Sequence, residues 1–408
     1  MSSSANDGSE TRRLSEVLDH ARNEEFKASR IMPDGISPSS DTLRHLLSLN
    51  PEPARQAGSA ASIVQARITE ALGLENIGFR KIGFGQCGLI FERPGFIHVV
   101  KVARPGFADA LRTDFVVHNK VFSAFHQDNH DNAQCRIPNV YYFIERNDKS
   151  WWDAHGHLFS ASNTASTASF PLPAFAVLSE RILPLPKMVR QCLINTFCPP
   201  HLRESVSANP INRDCVARVY LGRSRKPTAP MANFPLRNFN LHLDQMLQLG
   251  LPVEDYAAAM GEALALIHWS ANVDGYDIEF VLGSEAEQSP KVPSTTLRQI
   301  RMWVLDFNLC TSWEENLAIN NPDAVIQQLV LAFFENDPYY PLPLMESDIE
   351  ETLWSKFAGE YARKAELLLR GKDETLAKLP SAFLDACIQR EKRKLQTGRG
   401  HGHRDYKG

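Results

Sequence analysis

The chain has 408 residues, 43% hydrophobic and 23% charged, with a formal net charge of -4. Such a length holds two domains or one large two-lobed domain with tails, and the composition is globular, with no overall basic field for nucleic acid. The opening "MSSSANDGSE" is polar where a secretory or transit signal is apolar or Arg-rich, and no apolar run nears the ~18 residues of a membrane span, so a cytoplasmic location away from any membrane is expected.

Residues 1–65 are rich in Ser, Asp, Glu, Arg and Pro and read as a mobile extension with one helical stretch, "RRLSEVLDHARNEEFKASR". The ordered body is expected to begin with the helical spacing of "ASIVQARITEALGL". A glycine loop follows, then two strands around Pro94-Gly95 and a helix in "ALRTDFVVHNKVFSAF". "WWDAHGHLFSASNTASTAS" reads as an inserted loop before the strand "PAFAVLSE". Beyond it the chain turns helical, most clearly in "VEDYAAAMGEALALIHWSA", where Tyr256, Met260, Leu264 and Ile267 share a face. Two short strands, "IEFVLG" and "RMWVLDF", precede the helices "DAVIQQLVLAFFE" and "LWSKFAGEYARKAELLLR". A basic tail, residues 389–408, closes the chain as a solvated end or, through "KRK", a nuclear address.

Gly83, Gly85 and Gly88 form a G-x-G-x-x-G pattern, which two unrelated devices share. In a dinucleotide-binding unit the glycines open a helix. Here they precede "LIFERPGFIHVVKVA", a hairpin of β-branched and aromatic residues, which matches instead a glycine-rich hairpin lying over ATP phosphates, with a lysine one strand later. Lys101 in "HVVKVA" holds that place. The bland alternatives are a turn with spare glycine and an edge-strand lysine kept for solubility.

Phosphoryl transfer by such a device needs a carboxylate for the acceptor, a metal ligand five residues on, and a second acidic ligand after a later strand. "VDGYDIEFVLG" supplies Asp274 as the catalytic base and Glu279 as the first ligand; "WVLDFN" supplies Asp306 as the second. Glu279 stands where Asn is usual but remains a hard oxygen donor, and Asn308 tolerates the backbone of the glycine it replaces. Alternatively, Asp274-Gly275 is only a turn and Asp306 only a strand-end cap. His268 reads as a packed core histidine.

The strings "CVARVYLGRSR", "FPLRNFNLHLDQM", "DGYDIEFVLG", "WVLDFNLC" and "FFENDPYYP" resemble a fungal family of function-unknown proteins, some labelled zinc-finger proteins, over roughly residues 75 to 370. That family is in turn similar to the protein-kinase-like and aminoglycoside- or choline-phosphotransferase-like superfamily. The resemblance implies an α+β, bilobal protein-kinase-like fold. It places a small antiparallel-sheet lobe at residues 66–178, carrying the glycine loop and Lys101, and a larger, mainly helical lobe at 179–388. ATP and Mg²⁺ are the implied cofactors, and a small hydroxylated or amino-bearing molecule the acceptor. Gly83, Gly85, Gly88 and Lys101 would take the phosphates, and the backbone from Glu180 to Ile182 the adenine, between Ile82, Val99 and Leu305. One departure stands out: Val116 occupies the place of the glutamate that pairs the strand lysine, leaving Asp114 or Glu92 as candidates. If neither reaches Lys101, the chain is expected to be a silent pseudokinase that binds nucleotide or a protein partner. Cys87, Cys135, Cys192, Cys198, Cys215, Cys310 and Cys387 never fall in a C-x-x-C pair, so they read as reduced thiols and give the zinc label no support.

Overall fold

The computed structural model of the chain describes residues 40–49, 78–93, 96–127, 133–159, 171–225, 233–285, 300–336 and 338–397. In chain order these form α1 (Ser40–Leu46), β1 (Arg80–Phe84), β2 (Gly88–Glu92), β3 (His98–Ala103), α2 (Ala108–His126), β4 (Cys135–Arg136), β5 (Val140–Ile144), α3 (Lys149–His155) and β6 (Ala176–Glu180). Next come α4 (Lys187–Phe197), α5 (Arg203–Ala208), β7 (Ala217–Tyr220), β8 (Phe239–His242), α6 (Leu243–Gln248), α7 (Val253–Trp269), β9 (Glu279–Ser284) and β10 (Ile300–Leu305). The last helices are α8 (Glu315–Asn320), α9 (Pro322–Glu335), α10 (Asp348–Leu369) and α11 (Glu374–Gln396). The class is α+β, compatible with a two-lobed arrangement.

The first sheet has the order β1-β2-β3-β6-β5 with every neighbouring pair antiparallel. Side chains alternate across a strand, so β3 sends Val100 and Val102 to one face and Val99, Lys101 and Ala103 to the other. The Val100 face packs on Phe79, Phe91, Ile144, Trp151, Trp152 and Phe159. On the other side Ala103 joins Cys87, Leu111 of α2 and Val177.

Part of the expected loop after residue 150 is instead a cap on this sheet. Asp148 accepts a hydrogen bond from Trp151 N at 3.1 Å and starts α3, which buries both tryptophans. The large apolar area of two adjacent Trp side chains outweighs the Ser/Thr/Ala composition around them. The remainder of that stretch, 160–170, lies outside the described residues.

The second sheet is mixed, in the order β4-β10-β9-β7-β8. Antiparallel β9 and β10 pair from Glu279↔Leu305 to Ser284↔Ile300, which places the end of β10 beside the start of β9. Strands β7 and β8 are short and were not expected in a helical stretch; the former pairs with β9 and is parallel to the latter. Helix α7 is buried nearly all round and lies against α10, where Gly261 admits the neighbouring backbone: a Cβ there would stand 2.2 Å from Phe357 O.

Residues 40–49, expected to be part of a mobile extension, are docked. Leu43 and Leu47, four apart on one face, are buried in the main core with Leu49, and Tyr256 OH donates to Leu47 O at 2.7 Å. The rest of that extension, and both helices expected before residue 78, lie outside the described residues. At the other end α11 continues to Gln396 and buries Glu391, so ordered helix runs into the expected tail; 398–408 are outside the described residues. No helix among the described residues is long and apolar enough to cross a membrane.

Candidate functional site

The glycine loop is the turn between β1 and β2, closed by Gly85 N donating to Gly88 O at 2.8 Å. Gly88 is the position that needs glycine: a Cβ would lie 2.9 Å from Val102 O and 3.0 Å from Lys101 Cγ. The lysine stem thus passes directly beside the hairpin. Gly85 faces open space, Gly83 sits against Ile90, and Phe84 between them is 71% exposed at the tip.

Lys101 Nζ donates to Asp114 Oδ2 of α2 at 2.7 Å and to Asp306 Oδ1 at 2.9 Å. Three segments distant in sequence therefore meet on one ammonium. Burial alone would lower its pKa, but the two carboxylates outweigh that and hold it well above the ordinary value. Asp114 is buried too, and Lys101, His118 and its hydrogen bonds keep it below the carboxylate range despite that burial. Its other oxygen accepts from Phe307 N at 2.9 Å, so one helix side chain fixes both the lysine and the backbone that follows Asp306. Asp306 itself has φ 69°, a left-handed conformation that costs energy outside glycine and concentrates at functional sites.

Asp114 thus answers the departure noted at Val116. Val116 is 57% exposed, and Asp114, two residues earlier, is the helix partner of the lysine. Glu92 is engaged elsewhere: it pairs with Arg80 and Arg181. Asp214 pairs in turn with Arg80, Arg181 and Arg237. This network, built on the buried carboxylates of Glu92 and Asp214, ties the outer hairpin of the first sheet to the chain ahead of β7 and β8.

Glu279 pairs with Arg218, which β7 projects from the second sheet. Its pKa rises to about 7, from burial first, with Arg218 opposing and Asp306 and Asp277 adding to it. Asp277, exposed but partly desolvated by its neighbours, is raised by that desolvation first and then by Asp306, with Arg218 opposing, which puts Asp277, Glu279, Asp306 and Arg218 in one electrostatic field. Arg218 and Asp277 were missed from sequence. Arg218 carries the same signal as Lys101, a lone cation in the strand run "ARVY", whereas Asp277 looks like one more turn acid.

Asp274 is 5% exposed. Its Oδ1 accepts from Tyr276 N at 3.1 Å and Thr311 N at 2.9 Å, and its Oδ2 from Gln328 Nε2 at 2.9 Å. Burial raises its pKa, with those three bonds opposing. His268 is a core residue as expected. It donates through Nε2 to Asp274 O at 3.3 Å and accepts at Nδ1 from Tyr361 OH at 2.9 Å, while burial lowers its pKa to about 3.

At the end of β6, Glu180 N donates to Asn139 O at 2.7 Å and Arg181 N to Ile97 O at 2.8 Å, and the Glu180 carboxylate takes Asn139 N and Nδ2. The backbone polar groups of Ile182 have no partner among the described residues. Ile82, Val99, Ile182 and Leu305 are all half-buried apolar side chains.

Cys87, Asp114 and Asp306 bring ligand-type atoms within 4.8 Å of one another. The Lys101 ammonium already lies between the two carboxylates, so the group is the counter-charge of a lysine and not a zinc cage. All seven cysteines are buried free thiols, and burial raises Cys87 and Cys310 further from the thiolate a zinc ligand needs. Against known proteins, a family model described as "Zinc finger protein" matches residues 302–373. That stretch contains Cys310 as its single cysteine and no histidine, so it cannot by itself supply a tetrahedral Cys/His site. No curated protein matches the chain.

Proposed function

We propose that the chain is an ATP- and Mg²⁺-dependent phosphotransferase of protein-kinase-like architecture, acting on a small hydroxylated or amino-bearing molecule. The observation that carries this reading is the meeting of Lys101 from β3, Asp114 from α2 and Asp306 from the end of β10 on one ammonium. A packing lysine or a strand-end cap has no need of three such segments. The antiparallel sheet order, with a helix between its third and fourth strands in sequence and a tight glycine hairpin over the lysine stem, supports the same reading.

The donor set suits the cofactors. Four carboxyl groups, those of Asp114, Asp277, Glu279 and Asp306, face the two cations Lys101 and Arg218, and a divalent cation would offset the excess and favour the ionised form of Glu279, whose pKa of about 7 leaves it partly protonated without one. Glu279 and Asp306 are the hard oxygen donors that would hold magnesium. When bound, magnesium offsets charge on the phosphoryl group in transfer. Lys101 would exchange its bond to Asp306 for one to a phosphate oxygen while Asp114 keeps its orientation. Ile182, whose backbone donor and acceptor are unused among the described residues, would offer them to the adenine edge, between the half-buried side chains of Ile82, Val99 and Leu305.

Thermal denaturation with ATP and MgCl₂ tests this reading. Saturation at a hundredfold the Kd stabilises the fold by about 2.7 kcal/mol, a clear rise in midpoint. No rise with nucleotide at any magnesium concentration refutes it. A rise without phosphate transfer to water or to a panel of alcohols and amines reduces the site to nucleotide binding.

A further inference from the structure

The loop from Asp274 to Glu279 carries three carboxylates, and spacing alone assigns the acceptor to the first. The surroundings of the three divide the work differently. Asp274 is buried, and both its oxygens are engaged, Oδ1 by Tyr276 N and Thr311 N and Oδ2 by Gln328. Its own N–H and C=O are taken as well, by Thr311 O at 3.0 Å and by His268 at 3.3 Å. A carboxylate so buried and so held braces the loop against the segment after Asp306 and against α9. Glu279 is engaged with Arg218.

Asp277 alone of the three is exposed, and it lies two residues ahead of Glu279, which pairs in register with Leu305, the residue immediately before Asp306. Its backbone is held at φ 62°, a conformation unfavourable for Asp unless the surroundings impose it. The buried amide of Asn336 imposes it. Asn336 Oδ1 accepts the Asp277 N–H, and Asn336 Nδ2 donates to Gly275 O at 2.8 Å. Asn336 in turn caps α9, the helix that also carries Gln328. One helix therefore pins Asp274 inward and fixes the backbone that leaves Asp277 outside.

Resting on the phosphotransferase reading, we propose that Asp277 is the carboxylate that receives the acceptor's hydrogen bond and then its proton, and that Asp274 is a positioning residue. In the step, an acceptor oxygen or nitrogen lone pair forms the bond to the γ-phosphorus. The bond from that phosphorus to the β,γ-bridging oxygen breaks, its electron pair leaves with ADP, and the acceptor's proton passes to an Asp277 oxygen and on to solvent.

The test uses the full chain with ATP·Mg²⁺ and water as acceptor, following phosphate release, nucleotide-dependent thermal shift, and carbodiimide labelling of carboxylates read by mass spectrometry. Asp277→Asn is expected to keep the thermal shift and to lower phosphate release at least ~100-fold. In the wild type, Asp277 is labelled and ATP·Mg²⁺ protects it, while Asp274 stays unlabelled. Asp274→Leu is expected to lower the nucleotide-free midpoint, because it leaves Tyr276 N, Thr311 N and the Gln328 amide without their acceptor. Asp274→Asn, whose amide oxygen still accepts from Tyr276 N and Thr311 N and whose N–H the Gln328 amide can turn to accept, is expected to recover both midpoint and phosphate release. Normal release by Asp277→Asn, or labelling and protection of Asp274 in place of Asp277, overturns the assignment. Nucleotide binding by a wild type that never releases phosphate also overturns it and leaves binding intact, whereas a wild type with no nucleotide-dependent shift removes the phosphotransferase reading itself.

Discussion

Asp114→Asn is the sharpest perturbation of the lysine cluster, because it removes a charge and almost nothing else. The amide oxygen can still accept from Phe307 N, now at 2.9 Å, so the backbone after Asp306 keeps its anchor. What changes is the other side: an amide N–H replaces the carboxylate oxygen 2.7 Å from the Lys101 ammonium, donor against donor. Breaking a buried ion pair outright costs about 3–5 kcal/mol. Asp306 still holds Lys101 at 2.9 Å and is itself only partly buried, so about 2–3 kcal/mol is expected. The assay is urea denaturation followed by tryptophan fluorescence, paired with ATP·Mg²⁺ titration. With one acid gone, Lys101 is committed to Asp306, and a phosphate must compete against that single tightened pair; about tenfold weaker nucleotide binding follows, equivalent to about 1.4 kcal/mol. Val116→Glu is the control, an exposed substitution expected to stay within about 0.5 kcal/mol. An Asp114→Asn chain as stable as the wild type, or a Val116→Glu chain with altered nucleotide affinity, would refute the assignment of Asp114 as helix partner.

The glycine hairpin gives a second contrast: Gly88→Ala must push against Val102 O and the Lys101 stem and is expected to cost about 1–3 kcal/mol, whereas Gly85→Ala, with nothing within 4 Å, is expected to be nearly neutral by the same urea assay. Acid stability should report His268. Its folded pKa of about 3 lies below the unfolded value near 6.5, so its contribution is complete above about pH 6.5 and is lost as pH falls toward 3, at about 1.4 kcal/mol per unit. His268→Gln, which can reproduce both hydrogen bonds, should be less pH-sensitive than the wild type between pH 6.5 and 4; an unchanged slope in urea unfolding free energy would place the acid sensitivity elsewhere.

Much of the fold was legible because it is written in local pattern. The strand runs "GLIFE" and "HVVKVA" and the helical spacing of α2, α7, α9 and α10 each decide their own structure from neighbouring residues. The misreadings share a cause, namely that composition was averaged over a window in which two or three residues dominate. Trp151 and Trp152 turn part of a Ser/Thr/Ala stretch into a buried cap, and Leu43, Leu47 and Leu49 dock a polar extension. Strands β7 and β8 are only four residues each and exist because β9 offers an edge to pair with, which no local rule encodes.

The site was legible to the degree that its residues carry an energetic contradiction. A lysine in an apolar strand must find an anion or stay at an edge, so Lys101 announces that acids lie nearby without saying which. The identity of the partner is a matter of helix phase: moving two positions along α2 rotates a side chain by about 200°, which takes Val116 into solvent and Asp114 onto the lysine. A motif fixes such a phase only if the turn entering the helix has a fixed length, and here that turn is set by Arg104 to Phe107, where Arg104 N bonds Cys87 O and Phe107 N bonds Arg104 O. The same reasoning separates Asp274 from Asp277. Three residues apart in a loop with two left-handed positions, they are assigned by Gln328 and Asn336 on a helix some fifty residues further on. Spacing could find the loop; only the helix packed behind it decides which carboxylate faces out.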